Sequence, residues 1–259
     1  MAMSARWCVF VLLSWAAYGA DFEIPSMPVS LNVSGQPMTI TVGGSVEPQG
    51  QGLNLRLHAD LTDLQSHITP LLAAELDQSN KCGERITVER GRLVPAAPEA
   101  SLTVQLHFEK WACIKAFGKE NATKLVGGNG VVHMLLTPRV VTSPDAASSI
   151  RLDAQIGDID ADGTLGQLLH SEFGNTLREK IRDSLRRAIQ KSSGLEVVVP
   201  EKARPYMTIE SVEFGERGTG ILLLSLGGHV AVPADQAAGV LDQFRNQVSE
   251  ATTSQAIRR

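Results

Sequence analysis

The chain has 259 residues, of which 43% are hydrophobic and 20% are charged, and its formal net charge is −4. That balance supports a packed core and excludes an intrinsically disordered chain. A chain with more acidic than basic residues has no overall attraction for a polyanion, so nucleic acid is not an expected partner.

The first predicted element is a secretory signal peptide at residues 1–20. Arg6 precedes an apolar run at residues 7–17, and the small residues Ala17 and Gly19 mark a cleavage site. The run is too short to span a bilayer and no later segment reaches that length, so we expect no transmembrane segment in the mature chain. We therefore expect a periplasmic or secreted protein in which residues 21–259 form one domain; an uncleaved anchor is the alternative.

Alternation of apolar and polar residues dominates the mature chain and predicts half-buried β-strands. The clearest example is the run Leu102, Val104, Leu106 and Phe108. Turns that contain glycine or proline separate these segments, which favours an antiparallel sheet of consecutive strands. The predicted strands cover residues 29–33, 38–42, 53–57, 102–108, 131–141, 149–159, 207–214 and 221–232.

Three further segments have the apolar spacing of helices. Pro70 interrupts residues 61–76, so we expect either two short helices or one kinked helix there. Residues 164–191 form the longest predicted helix, in which apolar residues recur every four positions; a break at Gly174 is the alternative. A last helix is predicted at residues 234–248.

The apolar stripe on residues 164–191 decides the predicted architecture. A helix turns by about 100° per residue, so each step of four residues moves the stripe by about 40° around the axis. A curled sheet that encloses the helix can bury such a winding stripe. We therefore predict an α+β fold in which a highly curved antiparallel sheet wraps around a long amphipathic helix, with additional shorter helices.

Cys82 and Cys113 remain after Cys8 leaves with the signal peptide. Two cysteines in an exported chain most often pair, so we predict a disulfide between them at the open end of a hairpin. A reactive thiol or a metal pair is the alternative.

The faces of the two predicted strands conflict with this disulfide. Cys82 lies on the same face of its strand as Ile86, whereas Cys113 lies on the face of its strand that is opposite to the face of Phe108. We expect a bulge, or another departure from strand geometry at Gly83 or Trp111, to resolve the conflict.

Asp158, Asp160 and Asp162, followed by Gly163, match the first half of a calcium-binding loop. The twelfth position of such a loop would be Leu169, where a bidentate glutamate is needed. Two interpretations remain, a calcium site or a cap by Asp162 or Thr164 at the start of the long helix, where acidic residues are favoured. We favour the cap and predict neither a metal site nor a cofactor.

The remaining polar residues give no predicted catalytic residue, because the sequence carries no hydrolase motif. His107 and His133 lie on predicted strands and could meet in space.

The second half of the long helix is basic. This fits either a solvated face with pairs such as Asp183 and Arg187, or a patch that binds an anionic lipid headgroup or an acidic partner. Its basic residues are Arg178, Lys180, Arg182, Arg186, Arg187 and Lys191.

The segments at residues 207–215 and 220–226 resemble the C-terminal hairpin of an uncharacterised group of bacterial exported proteins. That group is related to tubular lipid-binding domains, such as those of the bactericidal permeability-increasing protein. The resemblance covers about the last 100 residues and includes the preceding helix at residues 177–189. It implies a curved antiparallel sheet that encloses an apolar groove for acyl chains, and it supplies no catalytic residues.

Together these observations predict an exported, non-enzymatic protein that binds or transports a lipid or another apolar small molecule. One alternative is a structural or assembly protein of the cell envelope that acts through contacts with an envelope protein partner. The other is an exported hydrolase with an unrecognised site. The predicted ligand-lining residues are Leu169, Phe173, Leu177, Ile181 and Leu185.

Overall fold

The computed structural model describes residues 22–33, 36–49, 52–79, 82–116, 119–143, 146–169, 174–192, 195–196 and 207–231. The predicted signal peptide and the predicted helix at residues 234–248 lie outside these ranges. None of the described helices is both long enough and apolar enough to cross a membrane.

Strands make up most of the described chain. In chain order they are β1 (Phe22–Val33), β2 (Gln36–Gln49), β3 (Gly52–Asp60), β4 (Gln78–Ser79), β5 (Gly83–Ala96), β6 (Glu99–Ala116), β7 (Lys119–Ser143), β8 (Ala146–Ala161), β9 (Leu195–Glu196), β10 (Met207–Arg217) and β11 (Ile221–Val230). The helices are α1 (Thr62–Leu76), α2 (Gly163–Leu169) and α3 (Gly174–Ser192).

The strands form two antiparallel sheets. The five-stranded sheet has the order β1-β2-β3-β11-β10, so the last two strands of the described chain complete a sheet that the first three begin. The six-stranded sheet has the sequential order β4-β5-β6-β7-β8-β9. Short connections between consecutive strands explain why most neighbours in sequence are also neighbours in a sheet.

Period-two alternation correctly predicts the strands at the centre of the six-stranded sheet. Val104 and Phe108 of β6 are fully buried, and Val132 of β7, directly opposite Val104, is fully buried as well. The residues between them in sequence point to the other face, because successive side chains of a strand alternate. The inner face of this sheet therefore supplies much of the main core.

The predicted α+β fold with one long enclosed helix is wrong. Instead of a single curled sheet around residues 164–191, the main core is formed by residues of two sheets together with the buried faces of three short helices. The apolar stripe is divided between two helices, since Leu165 of α2 is fully buried and Ile181 and Leu185 of α3 are 2% and 1% exposed. Gly174 begins α3, as the alternative of a break at that residue anticipates, and residues 170–173 lie outside the description.

Helix α1 continues through Pro70, so the alternative of two short helices is wrong. Pro70 itself is exposed, and its ring points away from the core that Leu71, Leu72 and Leu76 enter. Burial of that leucine face outweighs the backbone hydrogen bond that proline cannot donate, because each buried leucine contributes about 1.5–3 kcal/mol.

Gln65 of α1 joins the helix to both sheets. Its Nε2 donates to the carbonyl oxygens of Leu93 in β5 and of Gly220, at 3.0 and 2.9 Å. Its Oε1 accepts a hydrogen bond from the amide of Leu222 in β11, at 3.0 Å. One amide side chain thus satisfies backbone groups of both sheets where they meet.

Candidate functional site

A transverse line of irregularities crosses the five-stranded sheet, and we call it the fold line. The two edge strands have register shifts there, between Ile24 and Met27 in β1 and between Ile209 and Ser211 in β10. Two of the three inner strands, β2 and β11, carry glycine pairs near this line, Gly43–Gly44 and Gly227–Gly228, which are offset from each other by two residues. The residues paired along this line include Ile24 with Gly44, Gly44 with Leu57, Leu57 with Leu226, and Gly227 with Ser211.

Glycine is required on the fold line because backbones approach closely there. A Cβ on Gly44 would overlap the carbonyl oxygen of Arg56 in the neighbouring strand. A Cβ on Gly228 would lie 2.6 Å from the carbonyl oxygen of Thr208. Gly44 and Gly228 both lie on the apolar face of the sheet, where neighbouring atoms already occupy the space that a Cβ would need.

The fold line separates two apolar clusters. On one side, residues of β10 and β11 such as Phe214 and Leu222 enter the main core. On the other side, Leu55 and Val230 are buried within a smaller set of half-buried neighbours, which we call the second apolar cluster. Its partly buried members are Ile24, Val46, Leu53, Leu57 and Met207.

A small groove opens at the junction of the two clusters. Its volume is about 240 Å³ including the open space at its mouth. Leu57, Met207, Ile209 and Leu226 border it and are all only partly buried. The complete lining is Leu55, Leu57, Met207, Ile209, Leu226, Gly227 and Gly228.

The chemistry of this lining suits an apolar ligand. The lining side chains are aliphatic or thioether groups, which gain free energy by leaving water and do not orient a polar molecule. Pockets that enclose a whole small ligand measure about 300–1,000 Å³, whereas the enclosed part of this groove is only about 10 Å³, so the groove is a shallow apolar depression.

The predicted lining residues lie away from the groove or outside the description. Ile181 and Leu185 belong to the main core, whereas the groove lies on the five-stranded sheet. Leu169 and Leu177 are placed in α2 and α3 without a described side chain, and Phe173 lies outside the described residues. Their contact with a ligand stays a prediction.

The predicted disulfide between Cys82 and Cys113 is confirmed, with 5.6 Å between the two Cα atoms. The expected departure from strand geometry is found on both sides. Gly83 has a φ of +100°, a conformation that favours glycine. Because of this irregular residue, the Cys82 side chain does not follow the alternating side-chain directions of β5. The pairing of β6 with β7 shifts register between Lys110 and Trp111, next to the second cysteine.

Asp162 directly precedes α2, and its carbonyl oxygen accepts a hydrogen bond from the Gly166 amide. Its carboxylate accepts a hydrogen bond from the Asn129 amide of β7 at 2.7 Å, so a cap of the helix amides by this side chain stays a prediction. Within the part of the chain that the structure describes, no three histidine, cysteine or acidic side chains form a group able to hold a metal ion.

Two arginines in the basic stretch of α3 form ion pairs within the helix. Arg182 pairs with Glu179 at 3.0 Å, and Arg186 pairs with Asp183 at 2.9 Å. Arg187, the predicted partner of the Asp183 carboxylate, instead donates to the Asp183 backbone carbonyl. These pairs favour the interpretation as a solvated face.

Sequence analysis missed a polar cluster on the outer face of the six-stranded sheet. Glu109 accepts hydrogen bonds from Lys124 at 2.6 Å and from the Trp111 indole at 2.8 Å. The hydrogen bond from Lys124, followed by that from Trp111, lowers the pKa of the Glu109 carboxyl to about 2. The positions 107, 109 and 111 alternate with buried residues, and this spacing already places them on one face.

His107 and His133 do not meet. His107 pairs across the sheet with Asn129 and shares a hydrogen bond of 2.7 Å with its side chain. His133 is paired with Thr103, four residues further along the same strands.

Comparison with known proteins gives little further information. No protein-family model matches the sequence, and no curated protein matches it. Among solved structures, the chain is similar to the crystal structure of a lipopolysaccharide binding protein, with 12% sequence identity and a TM-score of 0.37. The match covers 56% of this chain and 31% of that one, so the chain spans less than a third of that protein. At this score the likeness carries no argument about fold or function.

Proposed function

We propose that this protein binds a lipid or another apolar ligand in the groove at the fold line, without catalysing a reaction. The supporting observation is the groove itself, whose lining side chains are apolar and mostly only partly buried, although they adjoin the main core. Each ligand methylene buried against them contributes about 0.8 kcal/mol.

The position of the groove suits ligands that differ in shape. Met207 and Ile209 belong to β10, which is an edge strand of the five-stranded sheet. An edge strand has one neighbour fewer than an inner strand, and the flexible thioether of methionine adapts to different shapes. Lipids that share an acyl chain but differ in length are the proposed class of ligand.

The proposed location is the periplasm or the extracellular space. The disulfide between Cys82 and Cys113 fits an oxidising compartment. The proposed signal peptide at residues 1–20 would deliver the chain there.

The proposal is tested by purifying the protein from an exporting host and measuring its mass under native conditions before and after solvent extraction. We expect a stoichiometric lipid on the wild type. Ile209→Trp fills the groove and should lower lipid occupancy at least tenfold, a loss of about 1.4 kcal/mol or more. Thr208→Trp, on the exposed side of the same strand, is the matched control and should retain the lipid.

Two results would contradict the proposal. One is a wild-type protein that carries no lipid and acquires none from a lipid extract of the host. The other is equal loss of lipid in the Ile209→Trp and Thr208→Trp variants. The non-enzymatic part is tested separately, since the recovered lipid should keep its mass after prolonged incubation, whereas the release of a fatty acid would indicate a hydrolase.

A further inference from the structure

The β6–β7 hairpin extends beyond the rest of the six-stranded sheet. Strand β5 pairs with β6 only as far as Trp111, and β8 pairs with β7 only from Gly130 onward. Among the described strands, residues 112–116 and 119–124 therefore pair only with one another. We call residues 109–116 and 119–126 the projecting hairpin.

A two-stranded ribbon has no third layer against which to bury apolar side chains. Ile114 is 60% exposed and Leu125 is 56% exposed, the highest values among the exposed large hydrophobic residues of the described chain. Leu125 is the extra residue of β7 at the register shift opposite Lys110 and Trp111. Ile114 thus lies in solvent on the two-stranded part of the projecting hairpin, and Leu125 lies in solvent at its base.

The same hairpin is basic in a chain whose net charge is negative. It contains four lysines and two glutamates, and Lys110 and Lys124 are exposed. The lysines are Lys110, Lys115, Lys119 and Lys124, and the glutamates are Glu109 and Glu120. Exposed apolar side chains flanked by lysines match the chemistry of an anionic membrane surface.

The base of the projecting hairpin is held firmly. The disulfide ties Cys113 of β6 to Cys82, just before β5. The Arg85 guanidinium lies 4.5 Å from the centre of the Trp111 ring, whose indole N–H donates to Glu109. A hairpin fixed in this way loses little conformational entropy on docking, which favours binding.

We propose that the projecting hairpin docks on an anionic lipid surface. Ile114 and Leu125 enter the headgroup region, and the exposed Lys110 and Lys124 meet the anionic headgroups. A fluid surface adapts to a narrow ribbon, whereas a stable protein interface buries about 800 Å² on each partner. The projecting hairpin thereby brings the protein to a membrane independently of the groove on the other sheet.

The test is co-sedimentation of the full oxidised protein with vesicles of phosphatidylglycerol and phosphatidylcholine, compared with vesicles of phosphatidylcholine alone. We expect binding to the anionic vesicles that weakens as salt is added. Ile114→Ser combined with Leu125→Ser should lower the partition coefficient about tenfold, because less apolar area enters the membrane. The matched control combines Val29→Ser with Leu135→Ser, which are exposed apolar residues outside the hairpin.

Absence of wild-type binding to anionic vesicles overturns the proposal and leaves an acidic protein as the candidate partner of the hairpin. Equal loss of binding in the control variant also overturns it. Circular dichroism and a thiol assay confirm that both variants retain the fold and the disulfide. Ile209→Trp should bind vesicles like the wild type, so failure at the groove and failure at the hairpin are distinguishable.

Discussion

Replacement of Gln65 tests whether one side chain joins the two sheets. Gln65→Ala removes three hydrogen bonds of 2.9–3.0 Å and leaves the amide of Leu222 and the carbonyl of Leu93 without these partners. A typical hydrogen bond contributes about 0.5–1.5 kcal/mol net, and an unsatisfied buried group costs about 1–3 kcal/mol. Since the contact to Gly220 is exposed, we expect the free energy of unfolding to fall by about 2–4 kcal/mol.

The assay is urea unfolding of the oxidised protein, followed by circular dichroism. Gln167→Ala is the matched control, since Gln167 is an exposed glutamine in helix α2 and tests the effect of the alanine itself. Gln65→Glu keeps the acceptor for Leu222 but loses both amide donors, so its stability should lie below that of the wild type. A loss of less than about 0.5 kcal/mol for Gln65→Ala, equal to the control, would refute the reasoning.

Three further predictions concern the disulfide, the polar cluster and the fold line. Cys82→Ser opens a loop with a sequence separation of 31 and should lower the free energy of unfolding by about 3–4 kcal/mol; equal urea midpoints for the variant and the wild type would contradict this. Because the pKa of Glu109 falls from 4.5 to about 2 on folding, its ionised form stabilises the protein above pH 4.5, and that contribution disappears as the pH falls toward 2. The stability advantage of the wild type over Glu109→Gln should therefore shrink across this range in urea titrations, and a constant difference would show that the carboxylate is not responsible. Gly228→Ala should cost about 1–3 kcal/mol because its Cβ meets the Thr208 carbonyl, whereas Gly215→Ala, whose Cβ lies 3.9 Å from the Ser225 hydroxyl, should cost less; thermal unfolding that ranks them in the opposite order would be incompatible with the fold line.

Local patterns in the sequence identify strands well but not their partners. The alternation from Leu102 to Phe108 correctly places the inner face of β6. Nothing local indicates that β11 pairs with β3, because 160 residues separate the end of β3 from the start of β11 and that pairing depends on tertiary contacts. The error in fold class has the same origin, since helical spacing in residues 164–191 is compatible with two helices as well as with one.

The candidate site is harder to predict than the fold because it depends on register. In the sequence Gly44 and Gly228 have the pattern of ordinary turn glycines, and only strand pairing shows that they lie two residues apart in level on one sheet. The conflict between the faces of Cys82 and Cys113 was visible in advance, because it follows from alternation alone. Exposure of Ile114 could not be inferred from alternation, since it depends on where β5 ends.

The strand order of the five-stranded sheet has a consequence for biosynthesis. Strands β1 to β3 emerge from the ribosome early, but β3 gains its second neighbour only when residues 221–230 have been made. Until then the N-terminal meander has an open edge of unpaired amides and carbonyls, available to a chaperone or to another nascent chain. The export that we propose would benefit from this delay, because the sheet cannot close before its last two strands have been made.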